Sequence, residues 1–288
     1  MKKPALERLD AMIGLSRVKQ EIRELVQLVK YQQMCEKNHI FAPSVSMHMV
    51  FTGNPGTGKT TVAKLLGEIY HEIGLLPNSK VVEADRGDLV GVYLGETAVK
   101  TKKVIDKALG GILFIDEAYT LAEGPAGDYG QEAIDTLLKA MEDHRGNLAV
   151  IVAGYTDRMQ NFIRSNPGLQ SRFTRTIHFE DYGAEEMEKI FYLFARNYCF
   201  TEEAAKRLHE LFWEMDRNRG PNFGNGRAVR NFYEILIKKM AFRLVSSGCT
   251  VPEDLTRVTL EDVETAIREM KAEASAGAGK NGPVGFSC

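Results

Sequence analysis

The chain has 288 residues, of which 44% are hydrophobic and 26% charged. It can therefore bury one domain core and a smaller satellite, and a small disulfide-stapled scaffold is excluded. Its 37 Lys and Arg against 39 Asp and Glu leave a net charge of -2, without the positive field of a dedicated nucleic-acid binder. The four cysteines have no CxxC or Cys/His spacing, so neither a zinc site nor a disulfide framework is indicated and we expect reduced thiols.

The amino-terminal segment begins with basic residues but lacks the apolar stretch of a signal peptide. No apolar run in the chain approaches the ~18 residues that a membrane span needs, so we expect a cytoplasmic protein without a membrane partner. Apolar residues at Ile22, Leu25, Val26 and Val29 recur with helical spacing. They predict an amphipathic helix after the turn at Gly14, within residues 4–38.

Short apolar runs then alternate with helical segments. The runs predict strands at residues 48–52, 80–84, 112–115, 148–153 and, more weakly, 176–179. Helices are predicted to begin near Lys59, Glu96, Gln131 and Thr156. Alternating strands and helices favour an α/β fold with a parallel sheet covered on both faces.

The pattern changes past Tyr182, where only helical segments follow. They are predicted at residues 185–198, 202–216, 227–245 and 260–270. The last stretch, from Ala272, has the small-residue, Gly-rich composition of a flexible tail. We therefore predict an α/β domain at residues 1–181, a smaller all-helical domain at 182–271 and a tail at 272–288.

The segment GNPGTGKT at residues 53–60, called here the phosphate loop, follows a predicted strand and begins a predicted helix. It is a complete GxxxxGK[ST] pattern, in which backbone N–H groups and the helix amino terminus surround phosphates. Lys59 is expected to reach the β- and γ-phosphates, and Thr60 to supply a hydroxyl to Mg²⁺. A chance Gly-rich turn would not carry both flanking elements with it.

The strand predicted at 112–115 ends in two carboxylates, Asp116 and Glu117. Alone, such a pair marks a sheet edge. Beside a phosphate loop, Asp116 can hold Mg²⁺ while Glu117 orients and polarises a water for attack on the γ-phosphate. Hydrolysis is therefore favoured over phosphorylation of a bound acceptor, as in a kinase.

Two arginine segments are candidate nucleotide contacts. Arg172, just before the last predicted strand, is placed to reach the nucleotide of a neighbouring protomer and stabilise charge on the γ-phosphate, with Arg175 as a possible second. Arg227 begins a helix of the small domain and can fold over the phosphates, whereas Arg230 suits a structural role. The alternative for each is an ordinary surface arginine.

An aromatic residue, Tyr93, stands with Leu94 between Gly91 and Gly95 in a loop before the helix predicted at Glu96. A tyrosine packed under the sheet is the default for an isolated aromatic. In a ring-forming ATPase, such a loop would instead project into a central channel and grip a polypeptide.

The motifs GNPGTGKT, LFIDEAY, GLQSRF and NGRAVRN together resemble those of the AAA+ ATPases. Longer segments, including EADRGDLVGVYLGETAVKT, are similar to the group of stage V sporulation protein K and the red-type Rubisco activase CbbX (CfxQ), and look more like the sporulation branch. The resemblance covers residues 9–270. It implies strand order 5-1-4-3-2, a helical lid, hexameric rings and ATP-driven pulling on a protein client.

The resemblance also implies a role for each candidate residue. Asp116 and Glu117 become the Walker B pair, Arg172 the arginine finger in trans and Arg227 the sensor arginine of the lid. Tyr93 and Leu94 become the pore loop. The resemblance implies that Ile13 and Gly14 contact the adenine, that Thr60 and Asp116 bind Mg²⁺, and that Glu117, Arg172 and Lys59 take part in catalysis. The other implied ATP contacts are Gly53, Pro55, Gly56, Thr57, Gly58, Lys59, Thr60, Thr61, Tyr155 and Arg227.

Two positions depart from the family pattern. No Asn follows the strand at 148–153, so the polar role towards the lytic water passes to Tyr155 or Thr156. Glu96 stands where the family often has His, an acid that would alter which tail is gripped. Besides a protein remodeller, the ATPase core fits a nucleotide-dependent nucleic-acid motor or loader, which the near-neutral charge disfavours, or a scaffold that ATP assembles.

Overall fold

The structure is a computed structural model that describes residues 3–42, 45–93, 95–124, 129–248 and 251–277. The chain divides into two compact units. The first contains residues up to Gly53 together with residues 58–179, and the second contains Asn54–Thr57 together with the chain from Glu180. The main division thus falls two residues before the predicted boundary, and four residues of the phosphate loop group with the second unit.

A parallel sheet forms the centre of the first unit. Its strands are β1 (Met49–Thr52), β2 (Val81–Ala84), β3 (Ile112–Ile115), β4 (Ala149–Gly154) and β5 (Arg175–His178). They lie in the order β2-β3-β4-β1-β5, which confirms the predicted order read from the other edge. The register aligns Thr52 with Gly154 and with His178, so these strands end at one edge of the sheet.

Helices cover both faces of the sheet. They are α1 (Ala5–Asp10), α2 (Ser16–Lys37), α3 (Lys59–Glu72), α4 (Arg86–Leu89), α5 (Glu96–Ala108), α6 (Gly130–Asp143), α7 (Thr156–Arg164) and α8 (Pro167–Arg172), with a 3₁₀ helix at Ala118–Leu121. The predicted starts at Lys59, Glu96 and Thr156 are confirmed, and α6 begins one residue before Gln131. The short helices were not predicted because one turn or two carries too few apolar positions to show a period.

Burial explains why the sequence forms this sheet. Every residue of β1, β3 and β4 is buried, as in strands covered on both faces, whereas the edge strands β2 and β5 are partly exposed. Leu113 and Val150 belong to one cluster of buried side chains with Ile134 and Met141 of α6. The central strands therefore form a fixed frame for the loops that follow them.

The second unit is mainly helical. Its helices are α9 (Ala184–Phe194), α10 (Glu202–Arg217), α11 (Asn225–Ser246) and α12 (Leu260–Gly277), with a 3₁₀ helix at Asp254–Thr256. They enclose an aromatic core in which the Phe191 ring lies 5.6 Å from that of Phe212 and 5.9 Å from that of Phe232. Trp213 of α10 is 39% exposed, and its ring lies 6.2 Å from that of His209.

The structure corrects three predictions in this unit. It is not all-helical, because β6 (Cys199–Phe200) pairs in parallel with β7 (Arg257–Val258), and α9 ends at Phe194 rather than running to residue 198. The predicted tail is also helical at its start, since α12 continues to Gly277. The segment AEASA after Lys271 supplies strong helix formers, which outweigh its small-residue composition. Residues 278–288 lie outside the described part of the chain.

Among the described residues, no helix is both long and apolar enough to cross a membrane.

Candidate functional site

The carboxyl edge of the sheet gathers the predicted nucleotide residues of the first unit. Gly53 follows β1, Asp116 and Glu117 follow β3, and Tyr155 follows β4, the strand between them. The Gly53 N–H donates to the carbonyl oxygen of Gly154 at 3.2 Å, which joins the start of the phosphate loop to the end of β4. This edge is where parallel α/β sheets bind ligands.

The phosphate loop begins at a position that only glycine can occupy. Gly53 has φ +140°, and a Cβ added there would lie 2.3 Å from the carbonyl oxygen of Phe179. At the other end of the loop, Gly58 has φ +95° and precedes α3, whose first residue is Lys59. The Lys59 Nζ donates to the carbonyl oxygen of Gly53 at 2.9 Å, so the amine lies beside the loop that is predicted to bind the phosphates.

The two carboxylates after β3 are exposed at the same edge. The Glu117 N–H donates to Asp116 Oδ1 at 3.0 Å. Glu117 has a left-handed backbone, φ +49°, and its carbonyl oxygen accepts from the Thr120 hydroxyl at 2.7 Å. A non-glycine residue held in this region is strained, and such strain concentrates at functional sites.

The residues present fit a magnesium ion held with a nucleotide. Asp116 offers an exposed carboxylate and Thr60 a half-buried hydroxyl at the start of α3, which are the hard oxygen ligands that Mg²⁺ takes beside substrate phosphates. No cluster of three or more His, Cys, Asp or Glu occurs in the described part of the chain. Mg²⁺ held by one or two protein ligands would take phosphate oxygens and water for the rest of its shell.

Tyr155 lies against the segment that follows Glu117. Its ring centroid is 6.3 Å from that of Tyr119, which is buried. Burial, with a smaller contribution from the negative charge of Glu117, raises the pKa of Tyr119 to about 12. The Arg158 guanidinium lies 5.0 Å from the Tyr119 ring centroid and 3.6 Å from Glu123. Arg158 thus adds a positive charge near the carboxyl edge of the sheet. The sequence patterns did not indicate this residue.

Comparisons with known proteins agree with this arrangement. Residues 49–181 match the model of the ATPase family associated with various cellular activities (AAA), and residues 183–273 match the AAA lid domain. The chain is 40% identical to stage V sporulation protein K of Bacillus subtilis over 94% of this chain and 83% of that protein. It is 43% identical to protein CbbX of Cereibacter sphaeroides over 92% of this chain and 87% of that protein.

The chain belongs to the AAA+ ATPases. A homolog of protein CfxQ from Pyropia yezoensis is 42% identical over 88% of this chain and 85% of that protein. The predicted group is thereby confirmed. Identities of 40% and 43% do not separate its branches, so the closer likeness to the sporulation branch stays a prediction. As a member of this family, the protein hydrolyses ATP.

The turn predicted to line the adenine pocket lies beside the helix of the phosphate loop. Ala5 donates its N–H to Glu72 at 3.1 Å and Arg8 pairs with Glu68 at 2.5 Å, so α1 runs antiparallel to α3. The chain after α1 therefore heads towards the amino end of α3. There Ile13 is half-buried and Gly14 has φ +61°. The predicted adenine contacts stay a prediction.

Arg172 is not among the residues that the structure gathers at the carboxyl edge. It ends α8, three residues before β5, and therefore lies at the amino edge of the sheet. Its guanidinium is 3.4 Å from Glu142, in an ion pair within the same protomer. Nearby, His48 accepts the Val150 N–H at 3.0 Å, and burial lowers its pKa to about 4, with smaller contributions from the charges of Arg172 and Arg145.

Val92 and Tyr93 are exposed, so the alternative of a tyrosine packed under the sheet is wrong. Tyr93 is 71% exposed and Val92 80% exposed. The Glu96 carboxylate accepts the N–H groups of Val92 at 3.0 Å and Tyr93 at 3.2 Å. Glu96 therefore fixes the backbone of the loop, a role that we did not predict. Leu94 lies outside the described residues.

In the second unit, Arg227 is exposed in the first turn of α11. Arg230, one turn later, lies 3.4 Å from Glu234 and 5.9 Å from the centroid of the Phe194 ring. These contacts agree with the structural role predicted for Arg230.

A further residue missed by pattern analysis is Arg86, the first residue of α4. Its Nη1 donates to the carbonyl oxygen of Thr120, in the 3₁₀ helix after Glu117. Because α4 leads into the loop that carries Tyr93, Arg86 joins that loop to the turn that follows Glu117. A lone arginine after a strand gives no motif, so only the tertiary structure reveals it.

Proposed function

We propose that this AAA+ ATPase is a ring-shaped homo-oligomer, a hexamer, that grips a protein client with the loop at 91–95 and pulls on it by hydrolysing ATP. The observation that carries the proposal is a loop with two consecutive apolar side chains in solvent, Val92 and Tyr93. Adjacent exposed apolar side chains are typical of surfaces that bind another protein. An aromatic and an aliphatic side chain suit a polypeptide of varied sequence better than a charged nucleic-acid backbone.

The backbone around this loop is fixed at both ends, which a grip that transmits force requires. Gly91 donates its N–H to the Thr97 hydroxyl at 2.9 Å, and Thr101 donates to the carbonyl oxygen of Leu89 at 2.9 Å. The bond from Arg86 to Thr120 continues this chain of contacts to Glu117. A change at Glu117 on hydrolysis therefore has a short bonded route to Tyr93.

The chemistry follows from the residues at the carboxyl edge. Lys59 binds the β- and γ-phosphate oxygens, and Thr60 with Asp116 holds Mg²⁺, which when bound neutralises phosphate charge. Glu117 accepts a hydrogen bond from the attacking water and orients it towards the γ-phosphorus. Tyr155, beside Tyr119, takes the polar position that Asn has in many relatives. Arg227 binds the phosphates from the amino end of α11.

Assembly into a ring explains why Arg172 is distant from the edge that carries Glu117 in its own protomer. We propose that a neighbouring protomer presents Arg172 to the γ-phosphate, where its charge stabilises the transition state. Its pair with Glu142 then holds the side chain until the neighbour binds ATP.

The experiment places a photo-crosslinking phenylalanine analogue at position 93 in the Glu117→Gln background, which retains ATP. The control carries the same analogue at Phe242, a 73% exposed residue of α11. After irradiation in host lysate, the proposal expects ATP-dependent protein adducts at position 93 and none at position 242. Nucleic-acid adducts would support a nucleic-acid motor instead. Equal adducts at both positions, or none at position 93, would contradict client gripping.

A further inference from the structure

The buried amide of Asn225 lies among residues of the phosphate loop. Asn225, the first residue of α11, is 0% exposed and has a left-handed backbone, φ +47°. It belongs to the same compact unit as Asn54–Thr57. A buried amide with a strained backbone persists only where its hydrogen bonds offset both costs.

Each hydrogen-bonding group of this amide is satisfied. Its Nδ2 donates to Asp181 Oδ1 at 2.7 Å, to the carbonyl oxygen of Phe223 at 3.0 Å and to that of Pro55 at 3.4 Å. Its Oδ1 accepts the Tyr182 N–H at 2.8 Å. One side chain thus joins the start of α11, the segment at 181–182 and the phosphate loop.

Asp181 extends this contact to a second loop residue. Its two carboxylate oxygens both accept from Asn54 Nδ2, at 3.0 Å each. Asp181 Oδ1 therefore lies between two amide donors, one from the loop and one from Asn225. Hydrogen bonds to an ionised group are about twice as strong as those between neutral groups.

Two further hydrogen bonds reach residues 56 and 57 of the loop, one from the backbone beside Asn225 and one from the Tyr182 side chain. The Gly226 N–H donates to the carbonyl oxygen of Gly56 at 3.1 Å, and the Tyr182 hydroxyl donates to that of Thr57 at 3.2 Å. The approach is close enough that a Cβ on Gly56 would lie 2.3 Å from the carbonyl oxygen of Gly224. Each of the four loop residues 54–57 thus makes at least one hydrogen bond with this surface, Asn54 as a donor and the other three as acceptors.

We infer that Asn225 is a positioning residue for ATP binding, which with Asp181 holds residues 54–57 in the conformation that accepts phosphates. The loop then does not depend on its own glycines alone to adopt that conformation. The inference rests on ATP binding by the loop and not on client gripping. Removal of the amide should release the loop and weaken ATP binding, because ordering the loop then falls on the nucleotide.

The test uses Asn225→Gly, which keeps a residue able to adopt φ +47° but removes the amide. Hydrogen–deuterium exchange of the peptide covering residues 53–58, without nucleotide, should accelerate about tenfold in Asn225→Gly. The dissociation constant for a fluorescent ATP analogue should rise about tenfold, while kcat at saturating ATP falls less than threefold. Asp181→Asn, which keeps one acceptor oxygen, should give smaller changes of the same kind.

Two controls separate positioning from loss of stability. Asn218→Gly, at the exposed end of α10, adds the same flexibility elsewhere in the unit, and Leu236→Ala removes a buried side chain of α11 far from the loop in sequence. Neither should change exchange at 53–58 or the dissociation constant by more than twofold. Unchanged exchange and affinity in Asn225→Gly, or equal changes in Leu236→Ala, would overturn the inference. Because exchange is measured without nucleotide, that result stands apart from any failure of the proposed client function.

Discussion

Protonation of His48 should destabilise the first unit in mild acid. The perturbation is His48→Asn, in which the amide oxygen takes the place of Nδ1 and still accepts the Val150 N–H, now seen at 3.0 Å. Burial lowers the pKa of His48 from 6.5 to about 4. His48 is therefore protonated below pH ~6.5 in the unfolded chain but only below pH ~4 in the folded chain. The free energy of unfolding falls as the pH falls through this window.

The magnitude follows from the two pKa values. Each pKa unit is worth 1.36 kcal/mol, so lowering the pH from ~7.5 to ~5 should cost the wild type about 2 kcal/mol through His48 alone. His48→Asn has no such proton and should lose about 2 kcal/mol less over the same interval. The ring centroids of Phe173 and His48 are 6.2 Å apart. Loss of the imidazole packing against Phe173 should lower the variant's free energy of unfolding by about 1 kcal/mol at either pH.

The assay is urea unfolding followed by circular dichroism at several pH values. Arg145→Gln is the matched control, because it removes one of the charges that lower the pKa of His48 but keeps burial, the larger cause. It should retain most of the wild-type pH dependence. The reasoning fails if His48→Asn and the wild type lose the same free energy of unfolding between pH ~7.5 and ~5.

The remaining predictions concern the nucleotide edge and the exposed loop. Gly53→Ala should abolish binding of an ATP analogue with unchanged circular dichroism, because its Cβ would lie 2.3 Å from the Phe179 carbonyl oxygen; normal affinity would contradict this. Mixing Arg172→Ala with Glu117→Gln protomers should restore part of the ATPase rate that each lacks, and mixed rings without activity would count against a finger in trans. Glu96→Ala should speed chymotryptic cleavage after Tyr93 severalfold while Glu96→Gln, which keeps an acceptor for the loop N–H groups, should not. Arg86→Met should remove the ATP-dependent change in hydrogen exchange of residues 91–95, and an unaltered change would exclude the bond to Thr120 as the route.

The sheet was predictable because its signals are local. Buried parallel strands appear as continuous apolar runs, and the glycines and Lys59 of the phosphate loop have a fixed spacing that the fold requires. Strand order, in contrast, came from the family resemblance and not from the runs themselves. The edge strand β5 was the weakest prediction because its residues are partly exposed and break the apolar run.

The contacts that were missed are long-range and involve ordinary polar residues. Asn225 and Asp181 are 44 positions apart, and Arg86 and Thr120 are 34 apart, so no local pattern joins them. Glu96 was noticed as a departure from the family, but its bonds to the loop N–H groups depend on the turn at Gly95, φ +81°. Sequence spacing identifies residues that belong to binding and catalytic motifs. It does not identify residues that only hold other residues in position.

The single tryptophan has an optical consequence. Trp213 lies on α10, within the second unit, so tryptophan-selective emission originates from that unit alone. Far-ultraviolet dichroism, by contrast, sums the peptide bonds of the whole chain. Unfolding traces recorded both ways coincide only when the helical unit and the sheet unit lose structure together, and their separation gives the order in which the two melt.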